Sequence, residues 1–137
     1  MDDSIVVAVD PGREKCGLAV VHKQTGVIEK KIVLTANLLT EVEKLAGFYN
    51  TLAVVLGDRT TSKSARAALS RVNIGDRFLN IIMVDEHRST EEARRLYWQE
   101  NPPRGLKAFI PTTMQVPPAP VDDYVAVTLA RRYFAKL

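Results

Sequence analysis

Residues 4–12 of the chain read SIVVAVDPG, and the sequence continues through REKC to GLAVV at residues 17–21. An apolar, β-branched run of this length is typical of a buried strand, and the second run is typical of its hairpin partner. Pro11 disfavours a helical backbone at Asp10, and Gly12 permits the turn between the strands. The stretch therefore predicts a hairpin with one carboxylate at the end of a central strand.

The carboxylate of Asp10 has two interpretations. Asp before Pro-Gly is a common turn sequence, and a role in the turn would be purely structural. At the end of a buried strand, however, an unpaired carboxylate would be costly and would require a cation. The second interpretation gains weight if the chain supplies further acidic groups at the ends of neighbouring elements.

The rest of the chain alternates between two periodicities. Apolar runs typical of strands recur at residues 27–34, 51–56 and 80–84. Apolar positions spaced by three and four predict helices at residues 38–49, 65–72, 89–97 and 122–137. Three antiparallel strands followed by two parallel strands, flanked by helices, amount to an α/β fold with a mixed five-stranded sheet.

Local signals predict where helices begin and where one long loop lies. Thr61 and Ser62 are candidate caps of the second helix, and residues 89–92 (STEE) form a capping-box pattern for the third. Six prolines at residues 101–121 predict a mostly extended loop, with a short strand at residues 107–110. The side chains of the last helix that we expect to face away from the core are Thr128, Arg131, Arg132 and Lys136.

Length and composition narrow the class of protein. A chain of 137 residues fits one domain, so we expect residues 1–137 to form a single unit. The single cysteine, Cys16, excludes an internal disulfide, and residues 1–3 show no secretory leader, so we expect a cytoplasmic protein. No apolar stretch approaches the ~20 residues that span a bilayer, which argues against a membrane protein.

The charge balance is a weak sign of a nucleic-acid partner. Nineteen basic and 16 acidic residues give a net charge of +3, which many other proteins share. Several basic residues flank acidic positions, as expected of a phosphate track but also of ordinary solvated helix faces. The candidate phosphate contacts are Arg13, Lys15, Lys63 and Arg88.

Carboxylates recur at the ends of the predicted elements. They are Asp10, Asp58, Asp85, Glu86, Asp122 and Asp123. Because strand ends on one side of an α/β sheet surround a crevice, several of these groups are candidates to converge there, and divalent cations would neutralise them. Oxygen ligands suit Mg²⁺ or Mn²⁺, and two such ions support phosphodiester hydrolysis.

The carboxylates also have structural interpretations. Asp122 and Asp123 are both candidate N-caps, and the helical wheel puts both toward the apolar face, so it does not choose between them. Glu86 has Arg88 as a candidate ion-pair partner. The remaining alternatives are a turn role for Asp85 and a loop role for Asp58.

Three motifs, in order along nearly the whole chain, resemble those of one protein family. The first is VDPG (9–12) with GLAV (17–20), the second is VDEHRST (84–90) with EA (92–93), and the third is VDDYVA (121–126). The family is YqgF/RuvX, a group of Holliday junction resolvase-like proteins of the RNase H-like superfamily. Three ordered motifs are far more specific than any one of them.

This resemblance implies a site and an activity. It implies that Asp10, Glu86 and Asp123 are the catalytic, metal-binding triad, with Asp122 as a fourth or substitute ligand. It also implies an endonuclease that uses Mg²⁺ or Mn²⁺ to cut branched DNA or precursor ribosomal RNA, as in pre-16S rRNA processing. For a junction substrate, two symmetric cuts imply a homodimer.

The chain departs from the family pattern in loops. Residues 57–62 read GDRTTS where family members commonly have Gly-Leu-Pro, and His87 stands where an Arg often follows the Glu. The long proline-rich passage is also unlike the shorter members of the family. Since loops beside a crevice select what enters it, these differences bear on the substrate.

Two rival functions remain open. One is a non-catalytic nucleic-acid-binding module with an RNase H-like fold, which metal binding would distinguish from a nuclease. The other takes Asp10 and the following turn as the phosphate loop of an actin-like ATPase or sugar kinase. The length of the chain disfavours the ATPase, since such enzymes need two domains.

Overall fold

A computed structural model describes residues 3–59 and 62–137 of the chain. Its strands and helices are β1 (Ile5–Asp10), β2 (Lys15–His22), β3 (Gly26–Leu34), α1 (Leu38–Phe48), β4 (Ala53–Gly57), α2 (Ser62–Leu69), β5 (Asn73–Ile74), β6 (Arg77–Phe78), β7 (Asn80–Val84), α3 (Ser89–Glu100) and α4 (Asp122–Ala135). Five strands form one sheet in the order β3-β2-β1-β4-β7. The joins among β1, β2 and β3 are antiparallel, and β4 and β7 add in parallel. The predicted α/β fold with a mixed five-stranded sheet is confirmed.

Strand β1 runs through the middle of the sheet and contributes to the core on both faces. Val6 and Ala8 pack with residues of α3 and α4, whereas Val7 and Val9 pack with residues of α1 and α2. All four are fully buried, which explains the continuous apolar sequence of this strand. Because side chains alternate along a strand, Asp10 emerges on the same face as Val6 and Ala8, which α4 covers.

The first turn of α4 lies directly on the sheet. Gly17 of β2 pairs with Asp10, and a Cβ atom at Gly17 would overlap the backbone carbonyl of Asp122. The helix can begin this close to the strands only because position 17 carries no side chain. Gly17 therefore sets the distance between the acidic start of α4 and the end of β1.

The middle of α4, from Tyr124 to Ala130, is buried on all sides. The prediction that Thr128 faces away from the core is therefore wrong. The sheet covers one side of this helix and α3 covers the other, and the Thr128 hydroxyl donates a hydrogen bond to the Tyr124 carbonyl at 3.0 Å. A hydroxyl satisfied within its own helix can be buried at little cost.

The predicted capping box of α3 does not form. Ser89 is the first residue of the helix and not its cap, and its buried hydroxyl has no hydrogen-bond partner among the described residues. Arg88 occupies the cap position in a left-handed conformation, with φ of 57°. Glu92, the acidic member of the pattern, instead forms an ion pair with Arg132 of α4 at 2.7 Å.

Further outcomes concern segments outside the sheet. Residues 101–121, all of which the structure describes, contain two short 3-10 helices, at Gly105–Phe109 and Thr112–Met114, so the strand predicted at residues 107–110 is wrong. A small hairpin of β5 and β6 follows α2 and was not predicted. Thr61, a candidate cap of α2, lies outside the described residues. Among the described helices, none is long and apolar enough to cross a bilayer.

We expect Gly17→Ala to destabilise the protein by about 1–3 kcal/mol, because the added methyl group must push the start of α4 away from β2. The matched control is Gly47→Ala in α1, where a Cβ would meet no atom within 4 Å and where alanine favours the helix. Urea unfolding of both variants measures the difference. Equal midpoints for Gly17→Ala and the unmodified protein would contradict the close approach.

Candidate active site

Two buried carboxylates lie close together at one end of the sheet. Asp10 ends β1, Glu86 follows the end of β7 by two residues, and the charge of Glu86 acts on Asp10. The two residues are 8% and 4% exposed, and the atoms Asp10 Oδ1 and Glu86 Oε1 have no hydrogen-bond partner among the described residues. Burying carboxylate oxygens without partners is costly, so this end of the sheet favours a bound positive charge.

The end of β4 positions Glu86. A Cβ atom at Gly57 would overlap Glu86 Oε1, so the glycine leaves the space that this side chain fills. The Glu86 backbone N donates to Asp58 Oδ1 at 3.1 Å, and the Asp58 backbone N donates to the Val84 carbonyl at 3.1 Å. Asp58 thus joins the ends of β4 and β7 and positions Glu86 through its backbone.

A guanidinium group compensates both buried carboxylates. Arg59 Nε forms an ion pair with Glu86 Oε2, and Arg59 Nη2 donates to Thr90 Oγ1 at 3.3 Å. The charge of Arg59 also lowers the pKa of Asp10. The sequence offered Arg88 as the partner of Glu86 and assigned no role to Arg59. Its place directly after a predicted strand end was the signal that could have identified it.

Asp122 brings a third carboxylate to this end of the sheet. It is the first residue of α4, and its charge raises the pKa of Asp10. Asp122 Oδ2 lies 3.6 Å from Lys15 Nζ. Asp122, Asp10, Lys15, Arg13 and Arg59 all line an open cavity of about 340 Å³. Asp122 is therefore the aspartate of the adjacent pair that faces the other carboxylates.

Asp123 contacts a different group of side chains. Its Oδ2 accepts a hydrogen bond from Lys30 Nζ at 3.2 Å, and its Oδ1 accepts one from the Tyr124 backbone N at 3.0 Å. Lys30 Nζ also lies 4.1 Å from the centre of the Tyr124 ring, and the Tyr124 hydroxyl donates to Glu100 Oε2 at 2.6 Å. Asp123 thus belongs to a network that joins α4 to β3 and α3.

Burial and charge repulsion raise the pKa values of the two buried carboxylates. At Asp10, burial is the largest cause and Glu86 adds to it, while Arg59 opposes them, and the pKa rises to about 7. Burial also raises the pKa of Glu86, where Arg59 opposes the rise and Asp58 adds to it. A divalent cation bound beside these groups would favour their charged forms.

The ligand atoms offered by these residues fit a hard divalent cation. Asp10, Glu86 and Asp122 present only carboxylate oxygens, which suit Mg²⁺ and Mn²⁺, and two of those oxygens are buried without partners. Within residues 3–59 and 62–137, no three His, Cys, Asp or Glu side chains already stand together as a group that could hold an ion. Arg59 pairs with Glu86, and Lys15 pairs with Asp122.

The four candidate phosphate contacts do not lie together. Arg13 and Lys15 line the acidic cavity. Arg88 is exposed at the start of α3, two residues after Glu86. Lys63 is exposed on α2 and lines a separate shallow depression. Arg13, Lys15 and Arg88 therefore lie near the carboxylates, and Lys63 belongs to another surface.

The fold is shared with a protein of known structure. The structure of RuvC from Thermus thermophilus matches with a TM-score of 0.61 and 12% sequence identity, over 96% of this chain and 95% of that chain. At this identity the likeness concerns the fold, and the RNase H-like fold expected from the sequence is confirmed. No protein-family model matches the chain, and no curated protein sequence matches it. The resemblance to YqgF/RuvX stays a prediction.

The raised pKa of Asp10 predicts how stability depends on pH. Between about pH 4 and pH 7 the folded state holds a proton that the unfolded state has lost, so the free energy of unfolding falls as the pH rises through this range. Asp10→Asn removes this dependence. In EDTA at pH 8 the variant should be more stable than the unmodified protein by as much as ~4 kcal/mol, and the difference should vanish near pH 4.

Chemical unfolding across this pH range measures the effect. Asp76→Asn is the control, because it removes the same charge from an exposed residue between β5 and β6. A difference between Asp10→Asn and the unmodified protein that stays constant from pH 4 to pH 8 would contradict the assignment of a buried, protonated Asp10.

Proposed function

We propose that the chain is a metal-dependent endonuclease that hydrolyses phosphodiester bonds in branched DNA or in precursor ribosomal RNA. The observation that carries this proposal is the cluster of Asp10, Glu86 and Asp122 at the strand ends of an RNase H-like fold. Two members of the cluster are buried and short of hydrogen-bond partners. The ordered motifs that resemble YqgF/RuvX support the same activity independently.

The proposed metal ligands are Asp10, Glu86 and Asp122. Asp122 shares a cavity with Asp10, whereas Asp123 is held by Lys30, so the geometry favours the substitute ligand over the triad member implied by the resemblance. Two Mg²⁺ or Mn²⁺ ions bound here would activate water for in-line attack on phosphorus and stabilise the departing 3′ oxygen. Asp10 and Glu86 are buried, so little water surrounds their carboxylates. Their attraction for cations is therefore stronger than it would be in water.

The basic residues divide into two roles in this proposal. Arg13, Lys15 and Arg88 lie near the carboxylates and would hold the phosphates on either side of the scissile bond. Lys63 lies on a separate surface of α2 and would contact the nucleic acid farther from the cut. Phosphate contacts of this kind fix the register of the strand without reading its sequence.

The oligomeric state that we propose depends on whether the substrate is a DNA junction or an RNA. A four-way junction needs two cuts related by symmetry, so for that substrate we propose a homodimer, whereas a single cut in RNA needs one copy. We also propose that residues 1–137 act as a single nuclease domain in the cytoplasm.

One observation favours a second candidate function, a non-catalytic nucleic-acid-binding module. Arg59 and Lys15 already pair with Glu86 and Asp122, so the acidic cluster is partly neutralised by the chain itself. If these ion pairs persist in the presence of Mg²⁺ or Mn²⁺, the basic surface would bind nucleic acid without cutting it. Metal binding therefore distinguishes the two functions.

We expect Mg²⁺ or Mn²⁺ to raise the melting temperature at pH 8 by several degrees, since an ion at ~100 times its dissociation constant stabilises the folded state by ~2.7 kcal/mol. Asp10→Asn and Asp122→Asn should abolish the rise, and Asp123→Asn should retain it. Sodium chloride at matched ionic strength is the control. A rise of equal size in all three variants would place the ion elsewhere and contradict the proposed ligands.

Cleavage tests the activity itself. We expect the unmodified protein with Mg²⁺ or Mn²⁺ to cut at least one of three labelled substrates: a four-way DNA junction, a single-stranded DNA or a structured RNA. Asp10→Asn and Asp122→Asn should lower the rate by about 100-fold or more, because each removes a metal ligand, whereas Asp123→Asn should stay within about tenfold.

The preferred substrate decides between the DNA and RNA functions. The reverse ranking, with Asp123→Asn inactive and Asp122→Asn active, would restore the triad implied by the sequence resemblance. Binding of all three substrates without any cutting would reject the nuclease and leave the binding module.

A further inference from the structure

A second cavity lies on the opposite face of the sheet from the acidic cluster. Its volume of about 530 Å³ falls within the range of small-molecule binding sites. Its walls come from β2, α1 and α2, and most of them are apolar. The residues that line it include Cys16, Leu38, Leu39, Ala65 and Ala68.

The two cavities share the turn between β1 and β2 as a wall. Pro11, Gly12 and Arg13 line both of them. The turn is held in place because the Gly12 carbonyl accepts a hydrogen bond from Thr35 Oγ1 at 2.9 Å. A Cβ atom at Gly12 would also overlap the carbonyl of Lys15, so the turn is closely packed. A ligand that extends over this turn would reach both cavities.

Arg13 is the cation at the shared rim. Its side chain is exposed, and it forms no ion pair within 4 Å with any carboxylate of the described residues, in contrast to Lys15 and Arg59. Its guanidinium group is therefore available to an outside anion, and its planar set of donors matches a phosphate.

We propose that the cavity lined by Ala68 and Leu39 receives the base of an unpaired nucleotide whose phosphate lies at the acidic cluster. The proposal rests on the proposed nuclease function and specifies its substrate as a strand with an unstacked nucleotide at the cleavage site. The apolar walls contact the faces of the base, and Arg13 contacts the phosphate. A fully paired duplex cannot supply such a base without breaking a pair and a stack.

Binding of bulged duplexes tests this site without requiring cleavage. All proteins carry Asp10→Asn, and the probes are a DNA and an RNA duplex, each with one bulged 2-aminopurine, beside fully paired duplexes of the same sequence. The protein that carries Asp10→Asn alone should bind a bulged duplex about tenfold more tightly than the paired one. The fluorescence of 2-aminopurine should rise as the base leaves the stack. Whether the DNA duplex or the RNA duplex shows this preference identifies which nucleic acid supplies the base.

Two substitutions fill the cavity from different walls. Ala68→Leu in α2 and Leu39→Trp in α1 should each remove the preference, a loss of about tenfold for the bulged duplex, and the fluorescence rise. Binding of the paired duplex should not change. The control is Ala135→Leu near the end of α4, which is exposed and lies outside this cavity. Melting temperatures of all variants establish that they fold.

The outcomes separate this proposal from the nuclease proposal. Equal preference for the bulged duplex in Ala68→Leu, Leu39→Trp and Ala135→Leu would overturn the base site, whether or not the unmodified protein cuts. A preference that only the two cavity-filling variants lose would support the base site, even if no cleavage is found. Absence of binding to every duplex would overturn the base site, whereas the nuclease proposal is decided separately by cleavage of the junction, the single-stranded DNA and the structured RNA.

Discussion

The structure must accommodate two carboxyl groups, those of Asp10 and Glu86, that are buried beside each other at one end of the sheet. Two carboxylates in a water-poor site repel each other and lose their hydration, and Asp122 adds a third negative charge nearby. The fold tolerates this arrangement through the positive charges of Arg59 and Lys15 and through the raised pKa of Asp10, which keeps that carboxyl group protonated below about pH 7. A cluster that serves only the stability of the fold would gain from apolar residues at these positions, so its presence is an argument for function.

Two glycines leave the space that the acidic cluster occupies. Gly57 leaves room for the Glu86 carboxylate, and Gly17 leaves room for the backbone at the start of α4. Both glycines lie on strands that flank the end of β1, one on each side. The site is thus built by the central strand, which carries the first carboxylate, and by two neighbours that allow the other two carboxylates to approach.

The sequence predicts the sheet well because its strands are buried on both faces and carry continuous apolar runs, as at residues 4–9. It predicts less of what depends on contacts between distant segments. Thr128 is buried because both the sheet and α3 cover α4, which the helical period alone does not indicate. Arg59 is the partner of Glu86 because β4 and β7 are neighbours in space, although 27 positions separate the two residues in the sequence.

The choice between Asp122 and Asp123 shows why a helical wheel was insufficient. Adjacent residues of a helix point about 100° apart, so the rotation of α4 about its axis decides which carboxylate faces Asp10. That rotation is held by contacts outside the helix, namely Lys30 with Asp123 and Tyr124 with Glu100. Asp123 therefore determines the site indirectly: by binding Lys30 on β3, it leaves its neighbour directed at the buried carboxylates. The sequence gives both aspartates, and only the packing of α4 against β3 and α3 assigns them different roles.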